Sequence, residues 1–525
     1  MAITLRNVTG SALTFDQLDT NFSSYFYSAS YSSGTITLFT TGSIIEDRDI
    51  PAPASMSLTI PTISQWEGSA AMTYTDSQVQ ISGSLVNGSG SISAPNDRFS
   101  HGEGYSTIAS GLFSHAEGVN GQATATGSHA EGFTTTATAN YAHSEGSGTG
   151  AVGVASHAEG FGTIASGSYS HAEGSITIAK GYYSHAEGEN TRATGSYSHA
   201  EGGDTRAVGD YSHAEGYQTV TVDQASHAEG IETTAGGEGS HAEGYGTTAV
   251  GNSSHAEGNV TIASGSYSHA EGNGAIASGS HSHAEGSYTE ARGGASHAQG
   301  TNTKSLGNYS HAEGQQTQAS GVASHAEGAN TVALGDYSHA EGFSTVASGS
   351  YSHAEGNDTT ALGDYSHAEG RSTTATGYYS HAEGWLSVSS GSYSHAEGFN
   401  NAAVGNYSHA EGASTDAIGL ASHAEGLATV ASGSYQHVQG QYNISSSAQS
   451  AFIIGNGTSN SSRSNLVFAS GSTFQVTGSL MLKDILQLAV RTTTPTPVEG
   501  MIIASGSAGS SVLYYYNGTI WNALF

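Results

Sequence analysis

Histidine falls at positions 101, 115, 129, 143 and onward to 437 without a slip. That is (437−101)/14 = 24 intervals, hence 25 histidines in one register, with only His281 outside it. Glutamate follows each registered histidine by two residues except at Gln299 and Gln439, giving 23 of 25. A fixed period this short leaves few folds open. Each repeat must be one coil of a solenoid, stacked on the coil before it.

Two segments recur within the period. One reads Thr-x-Ala-x-Gly, as in Thr163, Ala165 and Gly167; the other reads Ser-His-Ala-Glu-Gly, as in Ser170 to Gly174. Both alternate with period two, so both read as short strands, and the glycines with their Ser, Asn or Asp neighbours supply the bends. A coil is therefore two short strands and two tight turns. Alternation places Thr, Ser and Ala on the inner face, where small groups suit a flattened coil. On the Thr strand the outward residues vary freely (Ile164, Ile178, Arg192), whereas on the second strand they are His and Glu almost every time. All six prolines lie outside residues 98–440, as expected where every strand bonds to coils above and below. At ~4.8 Å per coil, 25 coils predict a rod roughly 120 Å long.

Composition agrees with a thin interior. The 525 residues include 73 Gly and no Cys, and only 11% are charged. Long aliphatics are too sparse for a thick core. Forty-four acids against 12 bases give a net charge of −32, which argues against nucleic-acid binding or adsorption to anionic lipid. No stretch approaches the roughly 20 apolar residues of a membrane helix, and the opening MAITLRNVTGSALTFDQLDTNF has no secretory-signal pattern. No membrane insertion is expected.

The repeated His and Glu admit several chemistries. A Ser–His–Glu catalytic set fails on geometry, because Ser352 and His353 face opposite sides of a strand. The H-x-E pattern of zinc deaminases needs a Pro-Cys-x-x-Cys partner that a chain without cysteine lacks. Metal binding would follow if three chains brought three histidines together at one level of an axis, with His171, His185 and His199 as candidates. The structural alternative is an axial ladder of a homotrimer, in which imidazoles bond to carboxylates: His157, Glu159, His171, Glu173, His185, Glu187, His353, Glu355, His367 and Glu369. Such pairing predicts raised histidine and depressed glutamate pKa values, with stability greatest between the two. Tyrosine recurs two residues before the histidine (Tyr169, Tyr183, Tyr197, Tyr337, Tyr351, Tyr365), and His281 occupies this slot. It reads as a stacked aromatic ladder at a turn, with a sugar-binding strip as the alternative.

The unit ASGSYSHAEG (347–356) resembles the head repeat of trimeric autotransporter adhesins, a fourteen-residue left-handed parallel β-roll. That family places branched aliphatics outward in the trimer core, and here His and Glu replace them. The resemblance covers residues 98–440. The flanks are similar to something else: ALTFDQLDTNF (12–22) to N-terminal segments of bacteriophage tail fibres, and YQHVQGQYNI (435–444) with IIGNGTSNSSRSN (453–465) to the ends of His-Ala-Glu-Gly arrays in phage and prophage tail proteins. The ending, 497–525, is similar to β-rich end modules of phage fibres.

The residues alone give less for the flanks. Leu13, Phe15, Leu18 and Phe22 form one stripe of a short helix over 12–27. Residues 35–97 alternate apolar and polar residues as a small β domain does. SLMLKDILQLAV (479–490) fits either a strand or a brief helix, and VLYYYNGTIWNALF carries an Asn-Gly hairpin signal.

The expected organisation is thus all-β: an N-terminal attachment segment (1–34, partly helical), a small β domain (35–97), a β-roll shaft of 25 coils (98–440) and a C-terminal β-rich module (441–525). The resemblances imply a homotrimeric bacteriophage virion fibre, made in the host cytoplasm, that needs no cofactor. Its expected partners are other copies of the chain, other virion proteins through the N-terminal part, and a host-surface glycan or protein through the C-terminal part. A capsid-decoration fibre and a bacterial trimeric surface adhesin are the alternatives. A polysaccharide-degrading tailspike would need paired carboxylates in a groove, which Asp358 and Asp416 in isolated turns do not supply.

Overall fold

The computed structural model describes residues 99–481, 496, 501–507 and 510–524, and before residue 99 the backbone of strands between Phe26 and Ser93. Every regular element among these is a β-strand. The chain divides into two compact units, Met1–Gly384 and Trp385–Phe525.

In the first unit a coil contributes a strand beginning at the registered histidine, five residues long as in His171–Ser175 except at His157–Ala158 and His381–Ala382, and a two-residue strand such as Ile178–Ala179. Successive coils pair in parallel and in strict register: His171 with His185, Ala172 with Ala186, Glu173 with Glu187, Gly174 with Gly188. The short strands form a second parallel ladder. Identical residues thus lie directly above one another, as the period requires.

The inward positions are as the alternation predicts. Thr163, Ala165, Ser170 and Ala172 are at most 1% exposed, and the core of the stack is built of alanine, with buried serine and threonine beside it. Two strands facing each other across one alanine layer leave no volume for a larger side chain, which explains the scarcity of long aliphatics. Ser170 Oγ donates to the Gly167 carbonyl at 2.7 Å, so the buried hydroxyl closes its own turn.

The turns are also hydrogen-bonded from coil to coil. Tyr183 N–H donates to the Ser168 carbonyl, and Asn190 N–H to the Ser175 carbonyl. Both donors sit in the left-handed region, with φ of 54° and 55°. Two such positions recur in every coil, one of them the tyrosine slot. Asp and Asn beside that slot cap the preceding coil: Asp210 Oδ1 accepts from Ser196 N–H at 2.7 Å, and Asp364 Oδ1 from Ser350 N–H at 2.9 Å.

The parallel pairing reaches past the limits of the sequence array. Leu85–Asn87 pairs with His101–Tyr105, and Ile92–Ser93 with Ile108–Ala109. Further upstream, Phe26–Ser32, Thr35–Thr40 and Ser55–Thr59 form an antiparallel sheet, and Ala71–Thr75 pairs with Gln78–Ser82. Phe26–Ser32 is a strand and takes in the last two residues of the stretch 12–27; the stripe itself, Leu13 to Phe22, like residues 482–490, lies outside the described residues.

The second unit continues the coil pattern through His437–Gln441 and then ends it. Phe452–Asn456 adds one more parallel strand at an offset of fifteen residues (His437 with Phe452). Asn465–Ser470 then pairs antiparallel, followed by Thr473–Val476. Val438 and Ile453 fill the core where alanine stood, and Gln436 replaces the buried serine, its amide donating to the Ser446 and Ala448 carbonyls. Asn443 Nδ2 donates to the Val430 carbonyl, and Arg463 Nη1 to the Ala428 and Asn443 carbonyls. At the C-terminus Ser510–Tyr516 and Trp521–Ala523 form the Asn-Gly hairpin, with Asn517 Oδ1 accepting from the Thr519 and Ile520 amides.

Candidate functional site: the histidine–glutamate row

The longer strand turns its histidine and glutamate away from the alanine layer, where both remain about one-third exposed (36% and 35% for His171 and Glu173). Because the register is strict, the imidazoles stack face to face. Centroids are 4.7 Å apart for His157–His171, 4.8 Å for His171–His185 and His185–His199, and 4.8 Å for His353–His367, with planes within 7°. Within a coil, Nε2 lies 3.6 Å from the carboxylate in His157–Glu159, His171–Glu173 and His185–Glu187, and 3.8 Å in His353–Glu355. The glutamates form a second column, in which Glu173 meets Glu159 and Glu187, and Glu369 meets Glu355 and Glu383.

These columns reverse the titration expected of the histidines and split that of the glutamates. His157, His185, His353 and His367 are held below the ordinary imidazole value, first by burial and then by the neighbouring imidazoles; the carboxylates only partly offset this. Glu159 is pushed up to about 7 by burial and by hydrogen bonds to Glu173 and Glu145. Glu355 reaches about 7 through its hydrogen bonds to Glu369 and Glu341, with burial added. Glu187 is raised by burial and Glu173. For Glu173 burial pushes upward, but hydrogen bonds from Glu159 and Glu187 leave it below the usual range; Glu369 is lowered by Glu383 and Glu355. Pairing inside one coil is therefore not the controlling interaction. Stacking sets like beside like, and a lowered carboxyl, Glu173, stands between the raised Glu159 and Glu187, as the lowered Glu369 stands beside the raised Glu355. Sequence reading missed this, although the fixed fourteen-residue spacing of Glu is the signal that announces it.

Of the three histidines considered for metal, His171 and His185 converge with Glu173, and His185 and His199 with Glu187. The serine hydroxyls are inside and the histidines outside, so Ser352, at 1% exposure, cannot meet His353. A shallow acidic groove runs along the row, lined by Glu229, Glu243, Glu257 and Glu271 with Gly244, Gly258 and Gly272.

The aromatic ladder forms at the turn. Tyr169–Tyr183 and Tyr183–Tyr197 stack at 4.7 and 5.3 Å, Tyr337–Tyr351 and Tyr351–Tyr365 at 4.8 and 4.9 Å, and His281 stacks on Tyr267. Within a run each ring face is covered by the next ring. A sugar stacks on a face, so this arrangement favours the ladder over the sugar strip.

No helix among the described residues is long and apolar enough to cross a membrane. No curated protein matches the chain. The family model described as the YadA head domain repeat (2 copies) matches residues 228–254, 242–268, 312–338 and 340–366. All four segments lie in the coils of the first unit, and over them the chain is similar to the head repeats of that adhesin.

Proposed function

We propose that the coil array is the rigid shaft of a homotrimeric adhesin-type fibre, with the His–Glu row of each chain turned toward the common axis. One observation carries this reading: the two outward rows of the coil differ. The short-strand row changes residue from coil to coil, as a solvated surface does, while the His–Glu row is nearly invariant over the whole stack. A face kept uniform over so many coils fits a partner that repeats with the same step, and another copy of the same chain has that step. The match to YadA-type repeats supports self-association, and it supports a bacterial surface adhesin more directly than a phage virion fibre. The virion fibre is the second reading. It rests on the flanking segments 12–22 and 435–465, and no comparison supports it. We read the array as non-enzymatic, because its serines and histidines occupy opposite faces.

Sedimentation with light scattering on the full chain tests the assembly. About three chains in an elongated particle is the expected result, and a monomer overturns it. Antibody against residues 441–525, imaged on bacterial cells and on phage particles, separates the two settings.

A further inference from the structure

Along the row, a carboxylate and the imidazole nitrogens of two successive histidines repeatedly cluster, the stacked rings standing 4.6–4.8 Å apart, so that holding one ion requires successive nitrogens to close by about 1 Å. In His129–Glu131–His143, His143–Glu145–His157, His157–Glu159–His171, His171–Glu173–His185 and His185–Glu187–His199 the ligand atoms lie within 4.8 Å of one another. The Nε2 atoms of these six histidines are sealed from solvent and make no hydrogen bond. A buried, unbonded nitrogen ordinarily has a partner. Here the nearest carboxylate oxygen stands 3.5–3.6 Å away, from His129 to His199. That is long for a hydrogen bond. It is close to the roughly 3.3–3.6 Å that separates two ligands bound to one tetrahedral ion at about 2.0–2.2 Å each.

We propose that the His–Glu row binds divalent transition-metal ions of the zinc class. Each ion is held by two successive histidines and the glutamate between them, over residues 129–199. Two imidazoles with one carboxylate select zinc, cobalt, nickel or copper over calcium and magnesium, which require oxygen ligands. The glutamates are one-third exposed, so a carboxylate can swing aside to admit an ion, and small ring tilts bring successive nitrogens together. Three protein ligands leave a fourth position for water or for a group from another chain. Each ion takes two histidines, so this block holds at most three ions per chain. The site is complete within one chain, and the proposal does not depend on the number of chains in the fibre.

The test uses the full-length protein, stripped with EDTA, dialysed and titrated with Co2+ and then Zn2+, followed by calorimetry and visible absorption. The expected result is saturable binding, intense blue bands of low-coordinate cobalt, displacement by zinc, and indifference to millimolar Mg2+ or Ca2+. The triple variant His143→Gln, His171→Gln, His185→Gln breaks all five groups and should lose two to three ions per chain, while His281→Gln, outside the row, loses none. Should the triple variant fail to fold by circular dichroism, the variant carrying Glu131→Gln, Glu145→Gln, Glu159→Gln, Glu173→Gln and Glu187→Gln leaves the imidazole stack in place, removes the carboxylate from all five groups and should lose the same two to three ions per chain. Cobalt that stays pink and six-coordinate, equal competition by Ca2+, or unchanged stoichiometry in the folded variants overturns the proposal. Sedimentation in EDTA counts chains separately, so a monomer that still binds cobalt refutes the trimer and not the metal site.

Discussion

Gly244 and Gly246 lie two residues apart in one coil, and both have positive φ, +107° and +63°. Their surroundings differ. A Cβ on Gly244 would stand 2.2 Å from the Gly258 carbonyl oxygen and 3.0 Å from its nitrogen, whereas one on Gly246 first meets Val260 Cγ2 at 3.5 Å. Gly244→Ala therefore forces the next coil's backbone back by about 1 Å, given ordinary contact distances. The retreat opens the pairing of His241–Tyr245 with His255–Asn259. Several backbone hydrogen bonds at about 1 kcal/mol each, plus about 1–3 kcal/mol for a φ that side chains avoid, give a local cost of roughly 4–6 kcal/mol. Gly246→Ala costs about 1 kcal/mol or less, because the left-handed penalty is offset by reduced freedom of the unfolded chain. The equivalent position already carries Ile176, Asn190 and Val260 at similar φ. A stack opens locally, so the assay is hydrogen exchange of peptides covering 241–258 in each variant. Gly244→Ala should speed exchange there by about a thousandfold relative to Gly246→Ala, since about 1.4 kcal/mol is tenfold. Equal protection in the two variants would mean that the coils are not packed backbone to backbone, and the reasoning would fail.

Other consequences are equally direct. His157, His185, His353 and His367 have lowered pKa values, so their contribution to stability is present above about 6.5 and lost as pH falls through the folded value. Glu159, Glu215, Glu355 and Glu411, raised to about 7, contribute at low pH and lose that contribution as pH rises through about 7. An NMR titration in EDTA should thus give these histidines midpoints below 6.5 and Glu159 a midpoint near 7, and histidine midpoints above 6.5 would contradict the stacking account. Ala340→Ser should cost nothing or gain up to about 1 kcal/mol, because Ser144 bonds Thr149 Oγ1 at 2.7 Å while Thr345 Oγ1, one coil position equivalent, is buried without a partner; Ala340→Val should lose about 1–3 kcal/mol by overpacking, and chemical denaturation compares them. Tyr183→Gly keeps the backbone conformation but removes two stacked neighbours, for a loss of about 1–3 kcal/mol in local exchange, and Tyr183→His should restore most of it, as His281 does on Tyr267.

Much of the fold was legible before any coordinate. The unbroken fourteen-residue register forces parallel stacking, and alternation within it assigns Thr163, Ala165, Ser170 and Ala172 to the interior and His171 and Glu173 to the surface. The coil ends were not legible. Leu85–Asn87 and Phe452–Asn456 join the stack without the repeat motif, because a strand at the end of the array has a repeat coil on one side only, which leaves room for Ile453 in place of alanine and for Gln436 to close an edge. The left-handed turn at Tyr183 was hidden for a related reason: its φ is set by an N–H that reaches the coil before it, and no local preference of tyrosine announces such a conformation.

The same division runs through the candidate site. By itself the sequence determined that histidine and glutamate share a face and recur at one spacing, since both facts follow from period two within a strand and period fourteen along the chain. Only the tertiary structure decided which neighbour each of them feels. The carboxylate two residues away stands 3.6 Å from His171 Nε2, but the next imidazole, fourteen residues away, covers its ring face at 4.8 Å, and the neighbouring carboxyls Glu159 and Glu187 hold Glu173 below the usual range. Burial and like-with-like stacking then outweigh pairing inside the coil. Titration depends on distances through space, and those are fixed by the rise from coil to coil.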